Sequence, residues 1–425
     1  MFGPQNAQSL AGIVVVLAVC WLLSEDRRRF PFALAVGALA VQAGLVVLLF
    51  GFPWADALLQ GIGAGVDVLA SSTQAGTRFV FGYLSGEGAP FAVDRPEALF
   101  VFAFRVLPVI LVVCALSALL WHWRILRWIT RGFGFVFQKT MGLRGPPALA
   151  TAATMFMGQV EGPIFIRAYL DRLTRSELFM LLAVGMSCVA GSTMVAYVTI
   201  LKPVLAHAAA HVLTASIISA PAGVLLARII VPADKAEAGG AFDAGDEKAY
   251  DSSIDALIRG TSDGLQVVLN VGATLVVFVA LIAMADRLLG GLPAVGGAPV
   301  SVERALGLVF SPLAWCLGIP WSEAPAAGSL LGVKLVLTEF SAFIQLAHLP
   351  ASALSARSRM IMTYALCGFA NIASVGINVA GFGVLTPDRR GEVIAMIWKA
   401  LIAGFLATCM TASVVGALPG ALFQH

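Results

Sequence analysis

Apolar residues run in blocks approaching or reaching the roughly 20 residues a helix needs to cross a bilayer core, separated by short polar punctuation. The blocks at residues 9–23, 32–51, 99–121, 178–201, 211–231, 265–285, 360–381 and 393–418 predict eight spanning helices. Three further stretches, 54–83, 123–138 and 302–317, mix apolar and polar residues and carry aromatic or basic residues at their edges. That is the pattern of helices lying along a membrane surface, with packed soluble loops as the other reading. Residues 232–261, rich in Asp, Glu, Lys, Ala and Gly, read as a polar linker.

Two more apolar stretches are interrupted and carry acids. Residues 146–170 contain GQVEGP, with Glu161 followed by Gly162 and Pro163, and residues 325–346 contain GVKLVLTEF, with Lys334 and Glu339. Both predict re-entrant hairpins. Each precedes a span holding small and polar residues, SCVAGST at 187–193 and GFANIASVG at 368–376, and then a further span. If the first hairpin enters from the cytoplasm and the second from outside, the two copies form an inverted repeat, an arrangement common in secondary transporters. The expected fold is an all-α integral membrane protein: eight transmembrane helices, three interfacial helices and two re-entrant hairpins. Its expected divisions are a scaffold at 1–145, a first transport repeat at 146–231, a cytoplasmic linker at 232–263, a span with an interfacial helix at 264–322, and a second transport repeat at 323–425.

Composition narrows the class. Of 425 residues, 59% are hydrophobic and 12% charged, and mean hydropathy is +0.90, whereas an ordinary soluble domain carries about 25% charged residues. A net charge of +3 on so apolar a chain excludes a nucleic-acid partner. The basic residues Arg27–Arg29, then Arg124, Arg127, Arg131, Lys139 and Arg144, then Lys235, Lys248 and Arg259, then Arg389 and Arg390 follow alternate spans. With cytoplasmic basic loops both termini are expected outside, periplasmic in a bacterial inner membrane. The first block lacks the charged leader of a signal peptide and is expected to remain as a span. Six scattered cysteines show no CxxC or CxxH pair, and His207 and His211, although four apart, have no third ligand, so neither a disulfide framework nor a metal site is expected.

A carboxylate at the bilayer centre costs about 2.5–3.5 kcal/mol on insertion scales, so Glu161 and Glu339 call for an offsetting role. A binding site is the leading one; the bland alternative pairs Glu339 with Lys334 and leaves Glu161 near a surface beside Arg167. Gln159 adds an amide two positions before Glu161, and Asn371 and Ser374 share a helical face. Singly, Asn and Ser are ordinary interhelical glue; together these polar groups, in two repeat-related places, suit a neutral, hydroxyl-rich solute with a flat face. Phe369 offers that face an apolar surface, although packing is the commoner role of such a residue. No Arg cluster stands ready to clamp a phosphate or carboxylate.

These motifs resemble those of the concentrative nucleoside transporters over nearly the whole chain. GQVEGP resembles the family's G-Q-[ST]-E-A-P, GVKLVLTEFSAF its G-x-K-x-x-x-N-E-F-V-A-Y, and CGFANIASVGI its C-G-F-A-N-[FI]-x-S-[IV]-x-I; FVFAFRVLPVIL resembles its third span, and GFGVLTPDRR with LIAGFLATCMTASVVG its last loop and span. The resemblance implies a homotrimer and a nucleoside substrate. It places the nucleobase at Gln159, Val160, Glu161 and Thr193, the ribose at Glu339, Asn371 and Ser374, and Phe369 against the ligand. Val160 replaces a family Ser or Thr, and Thr338 an Asn. The family's sodium site falls on the Thr154 and Cys188 side chains and the Met157 and Val189 carbonyls. A thiol is a poor ligand for a hard cation, so the expectation is proton coupling through Glu161 or Glu339, with sodium as the alternative and no other cofactor. The remaining alternatives are transport of a related nucleobase or nucleoside-like solute, an intramembrane enzyme using the two acids as an acid and base pair, and a passive channel; no nucleophile elbow or metal-ligand set favours the enzyme.

Overall fold

A computed structural model describes residues 3–86, 88–92, 101–143, 145–164, 166–233, 250–291, 293 and 299–423. Within these lie nineteen α-helices. The first six are α1 (Pro4–Leu22), α2 (Phe32–Phe50), α3 (Pro53–Phe81), α4 (Phe102–Arg105), α5 (Leu107–His122) and α6 (Ile125–Met141). Next come α7 (Pro146–Met157), α8 (Glu161–Ile164), α9 (Arg167–Leu170), α10 (Arg175–Ser187), α11 (Gly191–Leu201) and α12 (Ala208–Ile230). Then come α13 (Ser253–Leu289) and α14 (Val302–Cys316), and finally α15 (Ala324–Val336), α16 (Glu339–His348), α17 (Ala356–Leu366), α18 (Ile372–Leu385) and α19 (Arg390–Ala417).

Among the described residues seven segments are long and apolar enough to cross a membrane: Pro4–Leu22, Phe32–Phe50, Phe102–His122, Arg175–Leu201, Ala208–Ile230, Ser253–Leu289 and Pro387–Ala417. The remaining block of the eight, 360–381, is divided between α17 and α18 by the non-helical residues 367–371. The three mixed stretches are helices α3, α6 and α14. The linker is shorter than its composition predicts, because α13 starts at Ser253. Ser252 caps it by accepting a hydrogen bond from the Asp255 N–H at 3.1 Å. Ala256, Gly260 and Gly264, one turn apart, bury a small-residue stripe, and a Cβ on Gly260 would come within 2.8 Å of Ala118 on α5. This contact holds a polar segment helical that composition alone reads as chain in solvent. Residues 234–249, Arg144 and the first two residues of the block at 99–121 lie outside the described residues.

Contacts at the helix ends set the directions. The Glu25 carboxylate, just past α1, meets Arg175 at the start of α10 at 3.0 Å and Lys399 of α19 at 2.9 Å, while its backbone N–H donates to Ile230 O at the end of α12 at 2.9 Å. At the other end, Asn6 donates to Gly416 O and Leu418 O at 3.0 and 2.7 Å, and Arg357 at the start of α17 also reaches Gly416 O, at 2.5 Å. So α1 begins where α19 ends, and α10 and α17 start from opposite ends of the bundle. The two helix-break-helix units run antiparallel. The core lies between them: α10, α12 and the latter part of α19 are buried along nearly their whole length, whereas α13 buries only three small residues.

Candidate functional site

Four interruptions of helix converge on the core. The first, residues 158–160, turns at Gly158, whose φ of +119° strongly favours glycine. Gly162 then lets α8 fold back onto α7, since a Cβ there would lie 2.2 Å from Thr154 Oγ1. The second, residues 188–190, is extended between α10 and α11. The third, at Leu337 and Thr338, separates α15 from α16, and the Thr338 hydroxyl caps α16 by accepting from the Ser341 N–H at 3.2 Å. The fourth, 367–371, ends at Asn371, whose Oδ1 caps α18 by accepting from the Ser374 N–H at 2.8 Å. Breaks two and four touch: the Phe369 N–H donates to Cys188 O at 3.2 Å. The thiols of Cys188 and Cys367 donate to Ser216 O and Val212 O, each at 3.7 Å and one turn apart on α12.

Across these breaks runs one chain of side-chain hydrogen bonds. Tyr197 on α11 donates to Glu339 Oε1 at 2.7 Å, and Asn371 Nδ2 donates to Glu339 Oε2 at 2.6 Å. Asn371 is joined through its cap to Ser374, whose hydroxyl accepts from Gln159 Nε2 at 3.3 Å; Gln159 Oε1 in turn accepts from Asn378 Nδ2 at 2.9 Å. All six residues are buried, with Asn378 0% and Glu339 4% exposed. Glu339 is the first residue of α16, and the cap of α18 binds its carboxylate, so two helix N-termini add positive potential where that charge sits.

The structure therefore brings Gln159, Glu339, Asn371 and Ser374 together. Glu161 is outside that chain: its Oε2 lies against Gly158, 2.6 Å from where a Cβ would stand, and its electrostatic neighbours are Asp263 of α13 and Cys114 of α5. Among the described residues it forms no ion pair. Val160 is half-buried and packs into the notch left by Gly381 on α18. Thr193, one turn before Tyr197, donates to Ala190 O at 2.9 Å, and Phe369 is half-buried beside the break. Lys334 does not pair with Glu339. It is fully buried and donates to Ala365 O and Thr408 Oγ1, both at 2.7 Å. At the expected cation position, Thr154 Oγ1 donates to Ala150 O at 2.8 Å, and Val189 O accepts from the Ser216 hydroxyl at 3.2 Å; Met157 is half-buried at the end of α7. His211 bonds the Tyr364 hydroxyl at 3.0 Å and stacks on Phe50.

Sequence reasoning missed two members of the chain. Tyr197 gives no local signal, because its partner is 142 positions away. Asn378 was legible: with Asn371 and Ser374 it completes an i, i+3, i+7 polar stripe.

Three family descriptions match: "Na+ dependent nucleoside transporter C-terminus" over residues 211–416, its N-terminal counterpart over 11–84, and "Nucleoside recognition" over 103–204. The nucleoside permease NupC of Helicobacter pylori is 34% identical over 97% of this chain and 97% of its own. The chain belongs to the concentrative nucleoside transporter family. CNTnw in an inward-facing substrate-bound state superposes with a TM-score of 0.88 at 33% identity, covering 97% of both chains. A CNTnw variant in an outward-facing state gives the same score, identity and coverage. This member of the family is accordingly a nucleoside transporter of the membrane and not an enzyme.

Proposed function

We propose that the protein is a secondary active symporter that imports nucleosides across a bacterial inner membrane by alternating access, coupled to protons. The observation that carries this reading is the buried hydrogen-bond chain from Tyr197 through Glu339, Asn371, Ser374 and Gln159 to Asn378, which crosses both antiparallel units. A solute seated among these groups binds both units at once, so its presence biases their relative position, as alternating access requires. Ribose hydroxyls meet Glu339, Asn371 and Ser374. The base meets Gln159 and Glu161, with Val160, Thr193 and Phe369 around it. The segments α7 to α9 and α15 with α16 act as re-entrant hairpins; with α17 and α18 as one broken span the count is eight, α3, α6 and α14 lie at the interface, and both termini face the periplasm. The scaffold preceding residue 146 is the part suited to hold a homotrimer.

Proton coupling is favoured by what stands at the cation position. Cys188 presents a thiol, Val189 O is engaged by Ser216, and the Thr154 hydroxyl donates within its own helix. Of the two acids, Glu339 receives donors on both oxygens and is served best as a carboxylate, whereas Glu161 receives no side-chain donor and is the better proton carrier. Ion binding couples to transport if it lowers the cost of assembling the substrate site. Sodium is the second reading, favoured by the family description. Radiolabelled uridine and adenosine uptake into proteoliposomes tests both. Accumulation driven by an imposed proton gradient without sodium is expected; accumulation only with a sodium gradient overturns proton coupling, and equilibration without accumulation overturns symport.

A further inference from the structure

Lys334 is wholly buried near the end of α15, yet among the described residues it forms no ion pair. A buried charge is costly unless it is bonded, and its bonds go to two neutral oxygens. Nζ donates to Ala365 O, in the last turn of α17, and to Thr408 Oγ1 on α19, both at 2.7 Å. The Thr408 hydroxyl donates its own proton to Phe405 O at 2.9 Å, so towards Lys334 it can only accept. A carbonyl at the C-terminus of a half-helix, where the dipole favours positive charge, is an oxygen of the kind that coordinates a small cation in carriers built on broken helices. Here the cation is part of the chain.

The first unit shows the contrast. The outer helices of the two units, α12 and α19, meet at Ser219 and Thr411, whose hydroxyls are 3.4 Å apart. Three residues before each of these stands a second buried hydroxyl residue facing the break of its own unit: the Ser216 hydroxyl lies 3.2 Å from Val189 O, and Thr408 Cγ2 would lie 2.6 Å from a Cβ on Gly368. The Ser216 hydroxyl also reaches Met155 O on α7 at 3.5 Å, and so joins hairpin helix to break by itself. In the second unit the Thr408 proton points into its own helix, and the ammonium makes that junction.

We propose that the Lys334 ammonium is a tethered cation that holds the break at 367–371 against the second hairpin, so that the subsite of Glu339 and Asn371 is assembled without an ion from solution. The inference rests on the reading of Glu339 and Asn371 as the ribose subsite and is independent of the coupling ion. Two residues beyond Lys334, α15 ends and the chain turns directly into Glu339; two residues beyond Ala365 begins the break that ends at Asn371. One ammonium thus fixes the spacing of two groups that bond each other at 2.6 Å, and its charge stands within electrostatic reach of the carboxylate. Lys334 is a positioning residue.

Equilibrium binding of uridine to the purified full-length protein in detergent, at fixed pH and ionic strength, tests this free of any gradient. The parent should bind equally, within about twofold, in choline, ammonium or propylammonium chloride. Lys334→Ala removes the cation and leaves its space; in choline chloride it should bind at least about tenfold more weakly, the worth of one charge-assisted hydrogen bond, and ammonium or propylammonium should restore most of the loss. Lys334→Met fills the same space without charge, so it should be weakened alike and stay unrescued. Parent affinity in either variant in choline chloride, a loss in Lys334→Ala that neither amine reverses, or a parent that the amines strengthen as much, overturns the inference. If Lys334→Ala cannot be purified, Lys334→Met decides alone. Glu339→Gln separates the two layers: weak binding there with parent affinity in Lys334→Met leaves the ribose reading standing, and parent affinity in Glu339→Gln removes that reading and this inference together.

Discussion

The two acids that mark the two antiparallel units are held in different ways. Glu339 is tied on both oxygens, by Tyr197 from the other unit and by Asn371 from the neighbouring break. Glu161 rests against its own turn at Gly158, facing α5 and α13, with no side chain bound to it. In sequence the pair look alike, each within a broken apolar stretch. The difference is one of burial: Glu339 is buried and hydrogen-bonded on both oxygens, as a buried charge must be, whereas the Glu161 side chain is exposed at its turn. A fixed carboxylate suits hydroxyl recognition, and a loosely held one suits proton traffic.

The sharpest way to break this comparison is Glu339→Gln. The amide turns an NH₂ towards a donor that the carboxylate had accepted, leaving a buried clash; charge-assisted bonds are worth about 1.5–3 kcal/mol each, so uptake Vmax/KM for ribosides should fall about 100-fold. Normal uptake would remove Glu339 from the site. Tyr197→Phe deletes one of its two donors without changing charge and should cost about tenfold by the same reasoning, read as a raised KM; an unchanged KM would mean the cross-unit bond is only packing. Glu161→Gln should change KM by about threefold to tenfold and flatten the dependence of uptake on external pH. If instead Glu339→Gln flattens it and Glu161→Gln does not, the roles are exchanged.

The smallest effect expected is at the end of the bundle where α1 stops. Burial pushes the Glu25 carboxyl up, but hydrogen bonds and charge from Arg175 and Lys399 outweigh it and hold the group below its ordinary 4.5. A carboxyl lowered in the folded state stabilises above its unfolded value, and that stabilisation is lost as pH falls through the folded value. Glu25→Gln should therefore destabilise the fold near pH 7 by under about 1 kcal/mol, since the group is partly exposed, read as a lowered thermal midpoint, and the difference should shrink below pH 4.5. A difference that persists into acid would show that shape, not charge, matters there.

Helix existence was legible because apolar blocks of bilayer length have few other uses, and the site motifs were legible because Glu, Gln and Asn stand out in such blocks. The start of α13 was not, since its helicity depends on Gly260 lying against α5, a contact between elements far apart in sequence. The same holds for Lys334. Five residues before Glu339 it invites an ion pair, but α15 ends at Val336 and the chain turns, so the ammonium reaches the end of α17 and Thr408 instead.

By itself the sequence determined a membrane-embedded, helical chain with two interrupted units and a polar site suited to a neutral solute, because hydropathy and the cost of burying charge act through residue type and order alone. Only the tertiary structure decided that Tyr197 and Asn378 complete the site, that side chains bind Glu339 but not Glu161, and which way the Gln159 amide faces. Hydrogen bonds are directional and short, so residues 142 and 219 positions apart become partners only when the packing of α11, α16 and α18 puts them there.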